Sequence, residues 1–497
     1  MMTNPWPLRG GVKMPERRGL FQLPALVAAM LCMAAAPAAW GQFVFSAKDG
    51  EALLVRYSGQ GGGVVIPATW NGMPVTRIGQ NAFQGFYAQH VTSVTIAESV
   101  RSILPSAFDG CLNMTNVTLP NSLTSIETSA FYRCAKLPSI LIPANVTNIA
   151  ASVFAGCSSL AAILVDPGNP SYSDRDGVLF DKAQTRLIKY PDAKAGSRYE
   201  VPEGVASIDA LAFGNAGNCQ TVSLPASLEA MGFLVFQLAP NLVEVLVDDS
   251  NPHFTSRDGV LFAKDLSYLF VYPKAKLGGH YEIPEGVISL EALAFDRAIR
   301  LTSLIIPNSV AEFGISAFSG CSNLTTLAIG AGVGSIDSGA FDSAVSLSTV
   351  TIGRGVTNIT TSAFSGCANI RRFYFDGDAP SLRNGTKLAP APATVFHLPG
   401  TTGWESMFGE LPTQLWNPAI AVVESGFGLG DGRFQFTLTG NTAASAGAEL
   451  VVEAAAELDN PQWSAISTNV LAEDGTARFT DPAPATGSSR FYRFRVR

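Results

Sequence analysis

The pair Ala130-Phe131 recurs along this chain at a fixed step, and that recurrence limits what the chain can fold into more than any other feature. Marker phenylalanines stand at Phe108, Phe131 and Phe154, at Phe213 and Phe236, and at Phe295, Phe318, Phe341 and Phe364, with Phe83 as a looser first copy. Within each block the step is 23 residues, as from Phe108 to Phe131. A repeat of this length means a solenoid, in which each unit buries its apolar residues only against its neighbours. The 497 residues, 47% of them apolar, therefore need not divide into several globular cores. About ten copies make one elongated domain, because a solenoid grows by addition.

The unit Leu119 to Pro143 shows the local signals. Ile140 and Ile142 alternate with Ser139 and Leu141 before Pro143, the pattern of a strand that ends where its backbone donor is lost. Thr128 to Cys134 is too short for an amphipathic helix and predicts a helical turn, 3₁₀ in type. Leu123 to Ile126 predicts a second short strand. Stacking such coils would align the phenylalanines in a buried ladder. The expected class is a strand-rich, mixed α/β solenoid of about ten units over residues 64–375.

Two interruptions match each other. Asp166 to Val205 aligns with Asp248 to Val287 at an offset of 82 residues, and each carries Asp-Gly (Asp176-Gly177, Asp258-Gly259), Val-Leu-Phe and then Tyr-Pro. They read as β-hairpin insertions, near 166–200 and 248–282, that project from or widen the coil, with Asp-Gly supplying the turn. Asp174, Asp176 and Asp258 lack the ordered oxygen spacing of a dedicated calcium loop.

A solenoid needs capped ends. Residues 42–63 read as an N-terminal β cap and 376–418, rich in Pro, Gly and Thr, as a C-terminal cap and connector. Over 419–497 the pattern becomes short alternating strands such as Phe434 to Leu438 and Arg490 to Val496. That predicts a small antiparallel β-sandwich, with Trp463 as its core aromatic.

Arg9, Lys13, Arg17 and Arg18 precede the apolar run Leu20 to Ala36 and the small residues to Gly41, the layout of a secretory signal peptide over 1–41. No later segment reads as transmembrane, so the expected location is secreted or at a bacterial cell surface. Six cysteines remain after the leader. Cys111, Cys134, Cys157, Cys321 and Cys367 each fall three residues after a marker Phe, in a slot that elsewhere holds Ala239, Ala298 and Ala344. A cysteine that alternates with alanine behaves as a small buried hydrophobe, so free thiols are expected instead of bridges. A net charge of −7 removes the electrostatic basis for a nucleic-acid partner.

No catalytic constellation stands out. The histidines His90, His253, His280 and His397 are scattered, no nucleophile elbow or phosphate loop is present, and no cofactor is implied. What the repeat offers is a surface. On each main strand the residues between the inward ones must point outward. These are Ser93, Thr95, Asn116, Thr118, Ser139, Leu141, Ala162, Leu164, Thr221, Ser223, Glu244, Leu246, Ser303, Ile305, Thr326, Ala328, Thr349, Thr351, Arg372 and Tyr374. Small hydroxyls with apolar patches on an extended sheet suit a large ligand, protein or polysaccharide.

The segment Ser309 to Gly330, SVAEFGISAFSGCSNLTTLAIG, resembles the leucine-rich repeats of the BspA type. The resemblance covers roughly Val64 to Phe375, with Val153 and Val235 departing from the Ala of the marker pair. It implies an exported, non-catalytic bacterial protein that binds proteins or other cells. A structural or envelope-spacer role, with the C-terminal β-domain as the attachment, is the alternative expectation. A carbohydrate-active enzyme would need paired carboxylates in a cleft, and none can be assigned.

Overall fold

The computed structural model describes residues 42–85, 88–385, 387–390 and 392–416 and, beyond them, 421–430, 433–439, 449–455, 463–472, 476–484 and 491–496. The leader expected at 1–41 lies outside the described residues.

Every marker phenylalanine from Phe83 to Phe364 is buried. Within a block their rings stack on one another. Phe108 and Phe131 lie 5.2 Å apart at 8°, and Phe318 and Phe341 lie 4.9 Å apart at 7°. Each unit adds one short strand to a parallel sheet in register with its neighbour, so Thr326 pairs with Thr349 and Thr349 with Arg372. This sheet forms the main face. A second, narrower set of parallel strands such as Ser102–Ile103 and Ser125–Ile126 closes the other side of the coil.

Two features of the expected class are corrected. The fold is strand-rich without α-helix among the described residues, the one helical element being the 3₁₀ turn Ala88–His90. The marker segment cannot propagate a helix because its backbone twice turns left-handed, at Ser129 (φ 57°) and Arg133 (φ 56°) around Phe131. The rungs also number about fifteen, not ten. Main-face strands are grouped as Gly62–Val65 to Asn116–Thr118, Ser139–Ile142 with Ala162–Val165, Arg198–Glu200 to Glu244–Val247, and His280–Glu282 to Leu411–Leu415. The additional rungs come from segments without a marker Phe. Tyr190 stacks on Phe213 at 5.0 Å, Tyr272 on Phe295 at 4.7 Å and Tyr57 on Phe83 at 4.9 Å, so tyrosine continues the ladder.

The insertions do not project. In the first, Tyr172–Arg175 and Val178–Asp181 pair antiparallel, and Val178, Leu179 and Phe180 are all fully buried. Alternate side chains of one strand serve two cores: Leu179 joins the cluster that begins at Phe43, and Val178 and Phe180 join the cluster of Phe213. The second insertion repeats this, with Leu261 facing back and Val260 and Phe262 facing forward. Each hairpin is a wall between blocks. The turn glycine completes the splice, since Gly177 O accepts from Ile163 N at 2.8 Å and a Cβ there would stand 2.8 Å from Ala162 Cβ. A Lys-Asp pair is buried beside each wall, Lys189 with Asp192 at 2.7 Å and Lys274 with Asp296 at 2.5 Å.

The expected irregular cap at 376–418 instead continues the coil through Ser381–Arg383, Thr394–His397 and Leu411–Leu415. Beyond it lie two three-stranded antiparallel sheets, Ala421–Gly430, Arg433–Thr439 and Thr476–Pro484 in one, and Ser464–Val470, Glu449–Ala455 and Phe491–Val496 in the other. Phe436, Leu438, Leu450, Val452 and Phe479 share one apolar cluster with Tyr374, Phe396 and Trp416 of the solenoid. Trp463 is not central to it. It is half-buried, with the Arg493 guanidinium 4.6 Å from its ring.

Candidate functional site

The outward positions of the main strands follow from the pleat. On Ser139–Ile142, Ile140 and Ile142 are buried whereas Ser139 and Leu141 are exposed. Thr95, Asn116, Thr118, Leu164 and Thr326 are likewise exposed, and Ser93, Ala162, Thr221, Ser223, Glu244, Leu246, Ser303, Ile305, Ala328, Thr349, Thr351 and Arg372 are half-buried. Tyr374 departs from this pattern. It is 1% exposed, stacked on Phe396 at 5.1 Å and against Trp416 at 4.8 Å, under the C-terminal sheets. Tyr374 is therefore part of the seat of those sheets and not of a free face.

Hydroxyls and amides in the repeat divide into two groups. One group ties rung to rung: Thr325 Oγ1 donates to Thr302 O at 2.8 Å, Ser348 Oγ to Thr325 O at 3.0 Å, and Asn145 and Asn323 Nδ2 to Asn121 O and Ile299 O at 2.8 and 2.6 Å. These satisfy backbone carbonyls between coils. In the other group, Thr95, Thr118, Ser139, Thr326, Thr349 and Thr351 enter no side-chain hydrogen bond among the described residues. They stand on the outward face, left for solvent or a ligand. Aliphatic side chains interrupt them, with Val65 67%, Leu141 55% and Leu164 44% exposed.

The face also holds residues that the marker Phe did not reveal. The inserted rungs contribute Arg198, Glu200, His280 and Glu282. Their signal was present in the sequence: Tyr190 and Tyr272 each precede the next marker Phe by the repeat step of 23 residues. Toward the C-terminal end, the strands Ser303–Ile306, Thr326–Ile329 and Thr349–Ile352 floor a groove of about 460 Å³, bordered by Leu398, Trp416 and Val470.

The remaining sequence candidates have structural partners. Asp174 Oδ1 accepts from Val165 N at 2.7 Å, and Asp258 pairs with Lys276 at 2.7 Å. All six described cysteines are buried with free thiols. Four of them donate to the carbonyl of a marker Phe in a neighbouring coil, as Cys157 Sγ does to Phe131 O at 3.1 Å. Burial pushes the thiols of Cys111, Cys321 and Cys367 up to about 12. Such thiols are inert at neutral pH. Among the described residues no group of three or more His, Cys, Asp or Glu is placed to hold a metal ion, and no helix is long and apolar enough to cross a membrane.

Stacked coils, a phenylalanine ladder and one parallel strand per coil on a shared open face define a leucine-rich-repeat solenoid. The chain belongs to the BspA-type leucine-rich repeat family, matched in six copies over residues 75–175, 195–259 and 268–386. The breaks in the match fall at the two hairpin walls. No curated protein matches the chain. Among solved structures, it is similar to a leucine-rich cell surface protein from Faecalibacterium prausnitzii, with 23% identity, a TM-score of 0.45 and coverage of 68% of this chain and 94% of that one. The pneumococcal vaccine antigen PcpA is 20% identical with a TM-score of 0.46, covering 71% and 85%. A leucine-rich repeat protein from Bacteroides ovatus is 19% identical with a TM-score of 0.35, covering 75% and 98%.

Proposed function

We propose that this is an exported, non-catalytic binding protein whose main sheet face holds another protein. The observation that carries the reading is the division of hydroxyls: those between coils are consumed by backbone carbonyls, and those on the face are left unengaged beside exposed Leu141 and Leu164. A protein ligand fits this face better than a polysaccharide. Sugar rings stack on aromatic faces, and the outward aromatics Tyr374 and Phe396 are buried under the C-terminal sheets. Aliphatic patches among hydroxyls match the mixed character of protein interfaces. Export rests on the leader layout of residues 1–41, and we read 419–497 as a small β-sandwich.

The test is a screen of residues 42–497 against extracellular proteins and glycans, repeated with Thr349→Arg and Thr351→Arg together. Two large cations on the face should lower affinity for a protein hit at least about tenfold, the loss set by burying unpaired charge at an interface, with an unchanged melting curve. Undiminished binding by the double variant, or glycan hits alone, overturns the reading. A spacer role draws on a different observation, the apolar cluster that joins the last rungs to the C-terminal sheets. It requires that removal of 419–497 abolish retention at the cell surface.

A further inference from the structure

The groove over Thr326–Ile329 and Thr349–Ile352 differs in chemistry from the rest of the face, because its polar groups are almost all donors. Asn308 Oδ1 already accepts from Ala331 N at 2.7 Å, which leaves the side-chain NH₂ as its unused group. Thr326, Thr349 and Thr351 add unengaged hydroxyls. Arg354 is exposed on the lining and makes no ion pair among the described residues, whereas Arg101, Arg133, Arg186 and Arg198 each have a carboxylate within 3.5 Å. Trp416 is 2% exposed, and its indole N–H has no acceptor. A buried donor left unpaired costs about 1–3 kcal/mol. Asp376 is the one carboxylate in the lining.

We propose that this groove accepts an extended, acidic polypeptide segment of the protein partner, a reading that rests on the sheet face being the binding surface. Arg354 takes a ligand carboxylate, for which a guanidinium fork is the best-matched group. The threonine hydroxyls, one coil apart at the strand spacing of roughly 4.8 Å, meet successive acceptors along the segment, and the Trp416 indole N–H meets a carbonyl at the closed end. An acidic segment of a chain supplies both kinds of acceptor, main-chain carbonyls and side-chain carboxylates.

The experiment titrates residues 42–497 with short fluorescent peptides alternating Glu and Val, Lys and Val, or Ser and Val, at low and physiological ionic strength, with polygalacturonate as a further arm. The Glu peptide should bind, and the Lys and Ser peptides should bind at least about tenfold more weakly, the scale of one charge-assisted hydrogen bond. Arg354→Glu should lose the Glu peptide by about tenfold or more. Trp416→Phe, which keeps an apolar ring but removes the donor, should weaken binding by a smaller factor, and Arg101→Glu, near the other end of the solenoid, should change nothing. Equal binding of the three peptides, full binding by Arg354→Glu, or binding of polygalacturonate alone overturns the proposal. A partner lost on Thr349→Arg with Thr351→Arg but retained by Arg354→Glu leaves the face reading standing and removes this one. A partner retained by both variants removes both.

Discussion

Phe131 shows what one residue does here. It is fully buried between Phe108 and Phe154, with ring centroids 5.2 and 6.0 Å away. Replacing it with alanine leaves a cavity that two neighbouring coils share, so Phe131→Ala should cost about 3–5 kcal/mol, read as a lower midpoint in denaturant. A wild-type midpoint would contradict the ladder. The thiols make a second prediction. Burial raises Cys111, Cys321 and Cys367 from 9.0 to about 12, so the folded state holds a proton that the unfolded state has released between those values. Stability is then fully present below pH 9 and falls by about 1.4 kcal/mol per pH unit for each thiol as pH rises toward 12. Cys321→Ala should flatten that alkaline limb in pH-dependent unfolding, and an unchanged slope would show the thiol to be accessible. These positions were legible because the repeat aligns them: a cysteine slot that also accepts alanine must be buried. Tyr374 was misread for the same reason. Its alternation is outward, and nothing in the repeat announces that the C-terminal sheets sit on it.

At the scale of elements, the two hairpin walls are the instructive case. Their duplication and Asp-Gly turns were plain in the sequence, but their position was not, because Val178, Leu179 and Phe180 form an unbroken apolar run that does not say which faces it serves. A run buried on both sides is what a strand between two cores requires. The Lys-Asp pairs beside the walls were invisible to a repeat-based reading, since neither occupies a repeated position. Lys274 is 8% exposed, and burial lowers its pKa despite Asp296 at 2.5 Å. Asp296→Asn should therefore destabilise by about 3–5 kcal/mol, because it strands a buried cation. Combining it with Lys274→Met should recover most of that loss, and a double variant as unstable as the single one would show that the pair is not the cause.

At the scale of the whole molecule, three apolar clusters run in series along the solenoid, divided at the walls, and a fourth ties the last rungs to the C-terminal sheets. The solenoid was legible because its period is fixed. Its length was underestimated because tyrosine replaces phenylalanine in the inserted rungs and the region read as a cap continues the sheet. The face was legible as alternation. The groove was not, because Trp416 and Val470 reach it from segments distant in sequence from its floor. The claim that one face of this long sheet does the binding is tested most directly by hydrogen-deuterium exchange on the complex with a protein partner found by the screen. The account predicts added protection on main-face strands such as Thr326–Ile329 and Thr349–Ile352, with the opposite strands such as Ser335–Ile336 unchanged. Protection confined to those opposite strands or to the marker turns would contradict it.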